Sequence, residues 1–459
     1  MIAASLLNLI RPKTPDFVPG PQRYAPLQFL TEMSRDPLGF LNLMQKEYGD
    51  VVRMPFAPAP IYLLTQPDMI GRVLLNTEKT NRKSFGYRRL KLLLGDGLVT
   101  SSGELWRTQR KLATPAFHQK AIHGFFEVMQ DECLKLVEDL DRRIRINPLI
   151  NISEEMSRLT FTIIVRILFS INMQSRSREV QDAMRVLQDY AHVLFYSVWR
   201  LPLAVPTPGN RKPNRALKKL DQIVYQLIQE HRENPDQYDD LLSHYLQSVD
   251  DESGAGMTDK LLRDEVITLM LAGHETTAAT LSFAFELLAK NPRCLENLDR
   301  EFAALPDANL KLGDLSRLDY TQQVFSEAMR LYPAAWAIGR ESTEDIEFQD
   351  YRFKKGSTFI CAQYLMHRHP KYWTEPELFR PERFSAEESK GRHPFAYFPF
   401  GAGQRSCIGS NLARLEGQVI LSTLLRHFRM EPVPEAPYTI KPLITLVVDP
   451  GITLRLSRR

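Results

Sequence analysis

One ten-residue run constrains this chain more than any other segment: Phe400 to Gly409, which reads FGAGQRSCIG. A lone Cys407 sits in this glycine-rich turn, and the pattern that follows predicts a helix over 411–427. Because a helix N-terminus favours negative charge, the turn can present Cys407 as a thiolate. A single thiolate suits an axial ligand of heme iron better than tetrahedral zinc, which needs several ligands at close spacing. The alternative is a buried free cysteine that acts as a small hydrophobic side chain.

The run also resembles the heme-binding loop of the cytochrome P450 superfamily. The family pattern is Phe-x-x-Gly-x-Arg-x-Cys-x-Gly, and every fixed position matches in 400–409. The resemblance implies a mainly α fold with small β-sheets, the triangular fold of the family. It implies heme b (iron protoporphyrin IX) between a long central helix and the cysteine loop, with Cys407 as the proximal ligand of the iron.

Length and composition are compatible with such an enzyme. The 459 residues would suffice for two or three average domains, but no segment has the composition of an interdomain linker. We therefore predict a single domain over 27–459, after an apolar tip and a proline-rich lead-in over 1–26. Four cysteines are too few for a disulfide framework and predict a reducing compartment, the cytoplasm. A net charge of +4 is too small to indicate nucleic-acid binding.

The N-terminal tip, MIAASLLNLI over 1–10, has half the length needed to span a bilayer. We therefore expect no transmembrane anchor. The tip is either the ordinary start of a soluble protein or a weak contact with a membrane surface.

Apolar periodicity predicts helix over most of 67–330, interrupted by prolines between 202 and 213. Strands are predicted at 51–54 and 61–64, and again at 345–348 and 358–362. Two further strands, 440–448 and 452–456, close the chain.

One long helix is predicted over 258–290, and its middle reads AGHETT from Ala272 to Thr277. Gly273 costs about 1 kcal/mol relative to alanine inside a helix, which a gap or kink that admits a flat ligand would explain. Thr276 can hydrogen-bond back to a carbonyl of the preceding turn. The alternative is a polar patch that faces solvent. The segment matches the family motif [Ala/Gly]-Gly-x-[Asp/Glu]-Thr-[Thr/Ser], which implies that Thr276 hydrogen-bonds the bound dioxygen and that Glu275 passes protons from solvent.

Two further motifs concern arginines. Glu327 and Arg330 lie on one helical face, and such pairs are most often exposed and contribute little. The pair matches the Glu-x-x-Arg motif of the family, and Arg383 follows in the expected FRPERF segment. The resemblance implies a buried structural network of Glu327, Arg330 and Arg383 that braces the heme loop.

Trp106 and Arg110 are four residues apart, as in a common surface pair of tryptophan and arginine. The Trp-x-x-x-Arg motif of the family implies instead that both contact a heme propionate. Arg340 and Arg405 match other propionate partners of the family, and arginine suits carboxylates because it binds them in bidentate fashion.

The substrate pocket is the least constrained part of the site. The resemblance implies substrate contacts from the leucine-rich run over 90–99, from the long helix and from the residues after the Glu-x-x-Arg helix, with Leu93, Ala272 and Ala335 as the respective candidates. These apolar side chains predict a hydrophobic small-molecule substrate. Ordinary core packing is the alternative for the leucines.

No nucleotide-binding fingerprint accompanies these motifs, so we expect electrons to come from a ferredoxin-type or flavodoxin-type donor with its reductase. Arg107, Lys111 and Arg414 form either a basic docking patch for that donor or ordinary solvated surface charge.

The motifs together predict a heme-thiolate monooxygenase that uses O2, and they most resemble soluble bacterial members that hydroxylate fatty acids and related lipids. Two alternatives remain at this point. One is a peroxide-driven fatty-acid peroxygenase, whose members typically lack the acid–threonine pair of Glu275 and Thr276. The other is a heme-binding sensor without turnover, which would not need a proton relay.

Overall fold

A computed structural model describes residues 18–459 apart from 22–30, 34, 55–59, 171–176, 197–202, 204, 206, 250–253, 255 and 306–308. The apolar tip over 1–10 therefore lies outside the described residues. Among the described residues, no helix has the length and apolarity needed to cross a membrane.

The helices, in chain order, are α1 (Pro37–Tyr48), α2 (Pro67–Leu75), α3 (Phe85–Leu94), α4 (Gly103–Ala113), α5 (Gln119–Gly124), α6 (Phe126–Ile144), α7 (Ile152–Phe169), α8 (Ser177–Tyr196), α9 (Pro208–Glu233), α10 (Leu241–Gln247), α11 (Asp259–Lys290), α12 (Pro292–Ala303), α13 (Asp319–Leu331), α14 (Gln363–Met366) and α15 (Ser410–His427). The strands are β1 (Val51–Met54), β2 (Ile61–Leu64), β3 (Asn81–Lys83), β4 (Leu149–Asn151), β5 (Ile338–Ser342), β6 (Ile346–Phe348), β7 (Tyr351–Phe353), β8 (Thr358–Cys361), β9 (Phe428–Pro432), β10 (Thr439–Pro442), β11 (Leu446–Asp449) and β12 (Thr453–Arg458). The mainly α class with small β-sheets is confirmed.

The chain forms two compact units. The first unit contains 1–84, 337–372 and 393–406, and the second contains 85–336, 373–392 and 407–459. The assignment of 27–459 to one domain stays a prediction.

The first unit is built on a five-stranded sheet with the order β1-β2-β8-β5-β3. Strand β2 runs parallel to β8, with Ile61 opposite Thr358, and the other pairs are antiparallel. Phe353 packs edge-on against Tyr62, with ring centroids 4.8 Å apart, and also against Phe359. These side chains join Leu64 and neighbouring apolar residues in the core of this unit.

The second unit is mainly helical, and α11 runs through it as one continuous helix of 32 residues. Thr258 caps its N-terminus by accepting a hydrogen bond from the Leu261 N–H. Asn291 and Pro292 end it, because proline cannot continue the hydrogen-bond ladder. The prediction of this helix is confirmed at both ends.

Helices α13 and α15 approach closely in the second unit. A Cβ atom on Gly417 would lie 2.6 Å from the ring of Phe325, so only glycine allows this packing. The same unit contains a three-stranded sheet, β4-β12-β9, and a hairpin of β10 and β11.

Two secondary-structure predictions were wrong. The single strand over 440–448 is two strands joined by a turn, with Pro442 opposite Leu446. The predicted break between 202 and 213 is partly helix, because α9 begins at Pro208 and includes Pro213; Pro202 and Pro206 lie outside the described residues. Proline is favourable at a first helical position, and burial of Leu220, Val224 and other side chains sustains α9 beyond Pro213.

Candidate active site

The cysteine loop has the backbone that its glycines predict. Gly401 and Gly403 have φ of +68° and +69°, a region that other residues rarely adopt. A Cβ atom on Gly403 would also lie 2.7 Å from the Leu74 carbonyl oxygen. The loop ends at Gly409, the cap of α15, so Cys407 lies just before a helix N-terminus.

The Cys407 side chain has accessible surface, yet surrounding protein atoms enclose it enough that burial raises the pKa of its thiol. Two groups act in the opposite direction, the Gly409 N–H, which donates to the sulfur, and the positive charge of Arg110. A Cβ atom on Gly409 would meet both Sγ and the ring of Phe117 at 4.0 Å. The sulfur thus lies in a recess with a donor and a cation beside it.

The middle of α11 carries an accessible face on a helix that is otherwise mostly buried. Ala272 is exposed, and Glu275, Thr276 and Ala279 are partly exposed. These positions follow helical spacing and therefore form one stripe. The predicted bond from Thr276 is confirmed, because its Oγ1 donates to the Ala272 carbonyl oxygen at 2.8 Å.

Helix packing, not the predicted gap or kink, explains why a glycine stands at position 273. Gly273 faces α7, where a Cβ atom would lie 3.1 Å from two side-chain carbons of Ile164. Helix α7 also contributes Thr160, whose hydroxyl donates to the His274 carbonyl oxygen at 3.1 Å. Close packing of α7 on α11 accounts for the glycine.

Glu275 has an altered proton affinity. Burial raises the pKa of its carboxyl to about 7; the Thr445 hydroxyl lowers it, and the negative charge of Asp189 raises it. A carboxyl with this pKa both takes up and releases protons near neutral pH.

These observations fit the heme that the sequence implies. One accessible thiol precedes α15, which packs on α11, and α11 carries an accessible stripe of small and proton-transferring side chains. In the described residues, no group of three or more His, Cys, Asp or Glu side chains is arranged to hold a metal ion. A single thiolate ligand with a planar cofactor matches this donor set better than a zinc site does.

The four predicted propionate partners divide between the two units. Trp106 and Arg110 lie on α4 of the second unit, where Trp106 is buried and Arg110 is half-buried near Cys407. Arg340 and Arg405 belong to the first unit.

Both arginines of the first unit have protein partners. Arg340 Nε donates to Thr77 Oγ1 at 3.1 Å, and its Nη1 donates to the Gly339 carbonyl oxygen at 2.9 Å. Arg405 Nη2 lies 2.6 Å from Glu78 Oε1 in a buried ion pair. Sequence reasoning missed Glu78, which has a positive φ of 75°.

The structure brings Glu327, Arg330 and Arg383 together in the second unit. Arg330 Nε and Nη2 donate to the two Glu327 carboxylate oxygens at 2.7 and 2.8 Å, and both side chains are fully buried. Arg383 Nε lies 3.4 Å from Glu327 Oε1. Arg330 also donates to the carbonyl oxygens of Pro376 and Leu378, and so ties α13 to the loop over 373–392.

The predicted pocket residues have different surroundings. Leu93 is 1% exposed on α3, next to ionic side chains such as Lys91 and Asp264 that line a small cleft. Ala272 and Ala335 have accessible surface. The structure therefore supports apolar accessible surface at the two alanines and core packing at Leu93.

Two further residues were missed by sequence reasoning. Thr445, in the turn between β10 and β11, lies beside Glu275. Glu416, buried on α15 beside Thr277, has its pKa raised to about 8 by burial. The position of Glu416 between Leu415 and Gly417, on an apolar helix face, could have marked it as an unusual buried acid. A threonine in a turn, such as Thr445, is ordinary and gives no such indication.

Comparisons with known proteins give a consistent result. The sequence profile of the family described as Cytochrome P450 matches residues 18–453. Cyclooctatin synthase of Streptomyces melanosporofaciens is 34% identical over 421 residues, which covers 91% of each chain. Cyclooctat-9-en-7-ol 5-monooxygenase of the same organism is 32% identical, covering 87% of this chain and 86% of that protein. Cytochrome P450 4V2 of Mus musculus is 31% identical, covering 83% and 77%.

Proposed function

The chain belongs to the cytochrome P450 family, and from this premise we propose that it hydroxylates a fatty acid or related lipid with electrons from a separate redox protein. It is a monooxygenase with heme b as its cofactor. When bound, the heme supplies the iron at which dioxygen is activated, so that one oxygen atom enters the substrate and the other leaves as water.

One observation supports the proposal above the others. The accessible stripe from Ala272 to Ala279 interrupts a mostly buried helix, in the same unit as the accessible thiol of Cys407. An accessible stripe on an otherwise buried helix is typical of the wall of a cofactor or substrate pocket.

Glu275 and Thr276 of this stripe, and Cys407 outside it, have separate roles. Glu275 exchanges protons near neutral pH because its pKa is about 7. Thr276 presents its Oγ1 on the same face and donates its hydrogen to the Ala272 carbonyl oxygen, so the Oγ1 lone pairs can accept a hydrogen bond. Cys407 would hold the iron as a thiolate, the form that the Gly409 N–H and the Arg110 charge favour.

Apolar surface at Ala272 and Ala335 supports a lipid substrate. A cyclic alkenol is the second candidate, because a relative that covers most of the chain is named for action on cyclooctat-9-en-7-ol. The motifs around Glu275 and Cys407, which resemble fatty-acid hydroxylases, favour the first candidate.

A substrate panel tests the proposal. Fatty acids, fatty alcohols and cyclic alkenols are titrated into the ferric holoenzyme, and the low-spin to high-spin shift of the Soret band is recorded. We expect fatty acids to give the shift and, with a ferredoxin and its reductase, a product that contains one oxygen atom from isotopically labelled dioxygen. A shift with cyclic alkenols alone would favour the second candidate. Equal rates with hydrogen peroxide alone would make the enzyme a peroxygenase.

The iron ligand is tested separately. The reduced holoenzyme with carbon monoxide should show the Soret band typical of a thiolate ligand, and Cys407→Ser should lose it. Cys294→Ser, which changes a buried thiol on α12, is the matched control and should retain the band. Retention of the band in Cys407→Ser would overturn the assignment.

A further inference from the structure

The segment that leads into the cysteine loop has buried backbone outside regular secondary structure. Tyr397 and Phe398 belong to no helix or strand, and Phe398 is 4% exposed in the core of the first unit. Buried backbone N–H and carbonyl groups require hydrogen-bond partners. Phe398 must therefore obtain its partners from side chains or from its own turn.

Two side chains, at the start and at the C-cap of α14, supply these partners. His367 Nε2 accepts a hydrogen bond from the Phe398 N–H at 3.0 Å, and Gln363 Nε2 donates to the Phe398 carbonyl oxygen at 2.5 Å. Both side chains belong to residues that are 0% exposed, and the His367 ring packs edge-on against the Phe398 ring. A buried amide and a buried imidazole are unfavourable unless they are hydrogen-bonded, so the contacts with Phe398 explain why these two residue types stand in the core.

The sheet of the first unit fixes the position of both side chains. Gln363 and His367 are four residues apart and share one helical face, and the His367 N–H donates to the Gln363 carbonyl oxygen at 2.8 Å. Helix α14 directly follows β8, the middle strand of the five-stranded sheet. The Ala362 N–H between them donates to the Leu64 carbonyl oxygen of β2 at 3.3 Å.

The Phe398 carbonyl oxygen is also the first acceptor of the cysteine loop. It accepts a second hydrogen bond, at 2.9 Å, from the N–H of Gly401, whose φ is +68°. This bond closes the turn over 398–401. Gln363 and the turn therefore hold the same oxygen atom, and a displacement of Phe398 is carried into the start of the loop.

We propose that Gln363 and His367 are positioning residues for the cysteine loop: by holding both backbone polar groups of Phe398, they fix the turn through which the chain reaches Cys407. The inference rests on the proposed role of Cys407 as the iron ligand. A loop with a fixed entry presents the thiolate in one orientation, whereas a loop with a loose entry allows the thiolate to leave the iron.

The first readout is hydrogen exchange at the Phe398 amide, which does not depend on turnover. Amide exchange of the peptide over 396–401 is followed by mass spectrometry in the holoenzyme. His367→Gln places an amide oxygen near the position of Nε2 and should keep the wild-type protection. His367→Asn is one carbon shorter and leaves the Phe398 N–H without its acceptor, so exchange should be about two- to tenfold faster.

The second readout is the Soret band of thiolate ligation in the reduced carbon-monoxide complex. During incubation in urea below the unfolding transition, His367→Asn and Gln363→Met should lose this band faster than the wild type, and His367→Gln should keep the wild-type rate. The control is Phe353→Leu, which weakens the core of the same unit because it removes ring contacts with Tyr62 and Phe359. It should lower the melting temperature and keep the wild-type rate of band loss.

Wild-type exchange in His367→Asn overturns the inference. Equal rates of band loss in Phe353→Leu and His367→Asn would reduce His367 to ordinary core packing and overturn it as well. If His367→Asn gives no folded protein, Gln363→Met, which removes the donor and keeps the length of the side chain, decides through its rate of band loss. Absence of the thiolate band in the wild type would instead overturn the role of Cys407, while hydrogen exchange still tests the hold on Phe398.

Discussion

Two adjacent hydroxyls on α11 differ in their surroundings. Thr276 is partly exposed on the accessible stripe, whereas Thr277 is 4% exposed and lies beside Glu416. Successive helical residues point about 100° apart, so the two threonines cannot serve the same space. This difference provides a matched pair for testing the relay.

Thr276→Ala should still bind heme and substrate, because its hydroxyl bonds only within its own helix turn among the contacts described. NAD(P)H consumption should persist, while the yield of product per electron falls and the yield of hydrogen peroxide rises. Thr277→Ala should keep the product yield and lose stability instead. Unchanged yield in Thr276→Ala would assign the relay to water, and equal uncoupling in both variants would show that the two hydroxyls are interchangeable.

Glu416 gives the stability of the protein a pH dependence with a defined sign. Burial raises its pKa to about 8 in the folded state, and the unfolded value is about 4.3. At pH values between these two pKa values, the folded state keeps a proton on Glu416 that the unfolded state has released. The free energy of unfolding therefore falls as pH rises, and the loss is complete above the pKa of the folded state.

Glu416→Gln should remove this dependence. Its melting temperature should exceed that of the wild type by about 2–5 °C near pH 8.5 and differ little near pH 5. Glu138→Gln, an exposed glutamate on α6, is the control and should follow the wild type at both pH values. A constant difference across pH would mean that Glu416 is ionised in the folded protein.

Sequence reasoning found the residues that stand in contiguous motifs and missed those that act across the fold. Cys407, Glu275 and Thr276 each come with several matching neighbours. Thr445 lies 170 positions from Glu275, and only the return of the hairpin to α11 brings them together. Nothing in the local sequence of a turn encodes such a contact.

At the scale of elements, the network of Glu327, Arg330 and Arg383 joins α13 to the loop over 373–392. All three side chains are at most 3% exposed. Removing one partner leaves an uncompensated buried charge, which costs about 3–5 kcal/mol. Glu327→Ala should therefore yield little folded protein, measured as heme content and melting temperature of the soluble fraction.

The control is Arg380→Ala in the same loop. The Arg380 side chain pairs with Glu388 at the surface, and such pairs contribute about 0–1 kcal/mol. Its backbone N–H, which donates to Glu327 Oε1, is unaffected by the change. Wild-type heme content in Glu327→Ala would show that the network is dispensable.

Element boundaries were predictable where local signals were strong. Thr258 and Asn291-Pro292 mark both ends of α11, and β1 and β2 have the predicted bounds. The turn at 443–445 was missed because Leu443, Ile444 and Leu446 look like the continuation of one apolar strand, although Pro442 was an available break signal. The turn forms because β10 pairs with β11, and the spacing of apolar residues along the chain does not reveal this pairing.

At the scale of the whole molecule, the net charge of +4 bears on the electron donor. Arg107, Lys111 and Arg414 are exposed on the second unit, although Arg107 also pairs with Glu104. If an acidic ferredoxin docks there, its rate of electron transfer should fall steadily between about 20 and 300 mM salt, because screening weakens attraction. Lys111→Glu should lower the rate at low salt, with Lys120→Glu on α5 as the control. A salt-independent rate would exclude electrostatic docking.

The parallel pairing of β2 with β8 has a consequence for how the protein is made. Strand β2 cannot pair with β8 until Thr358, the partner of Ile61, has left the ribosome. At 5–20 residues per second this delay is about 15–60 s. During that interval Tyr62, Leu63 and Leu64 present an unpaired apolar edge, which invites association with other chains. The yield of soluble protein in a host cell should thus depend on chaperone capacity during translation, before the cysteine loop has been synthesised.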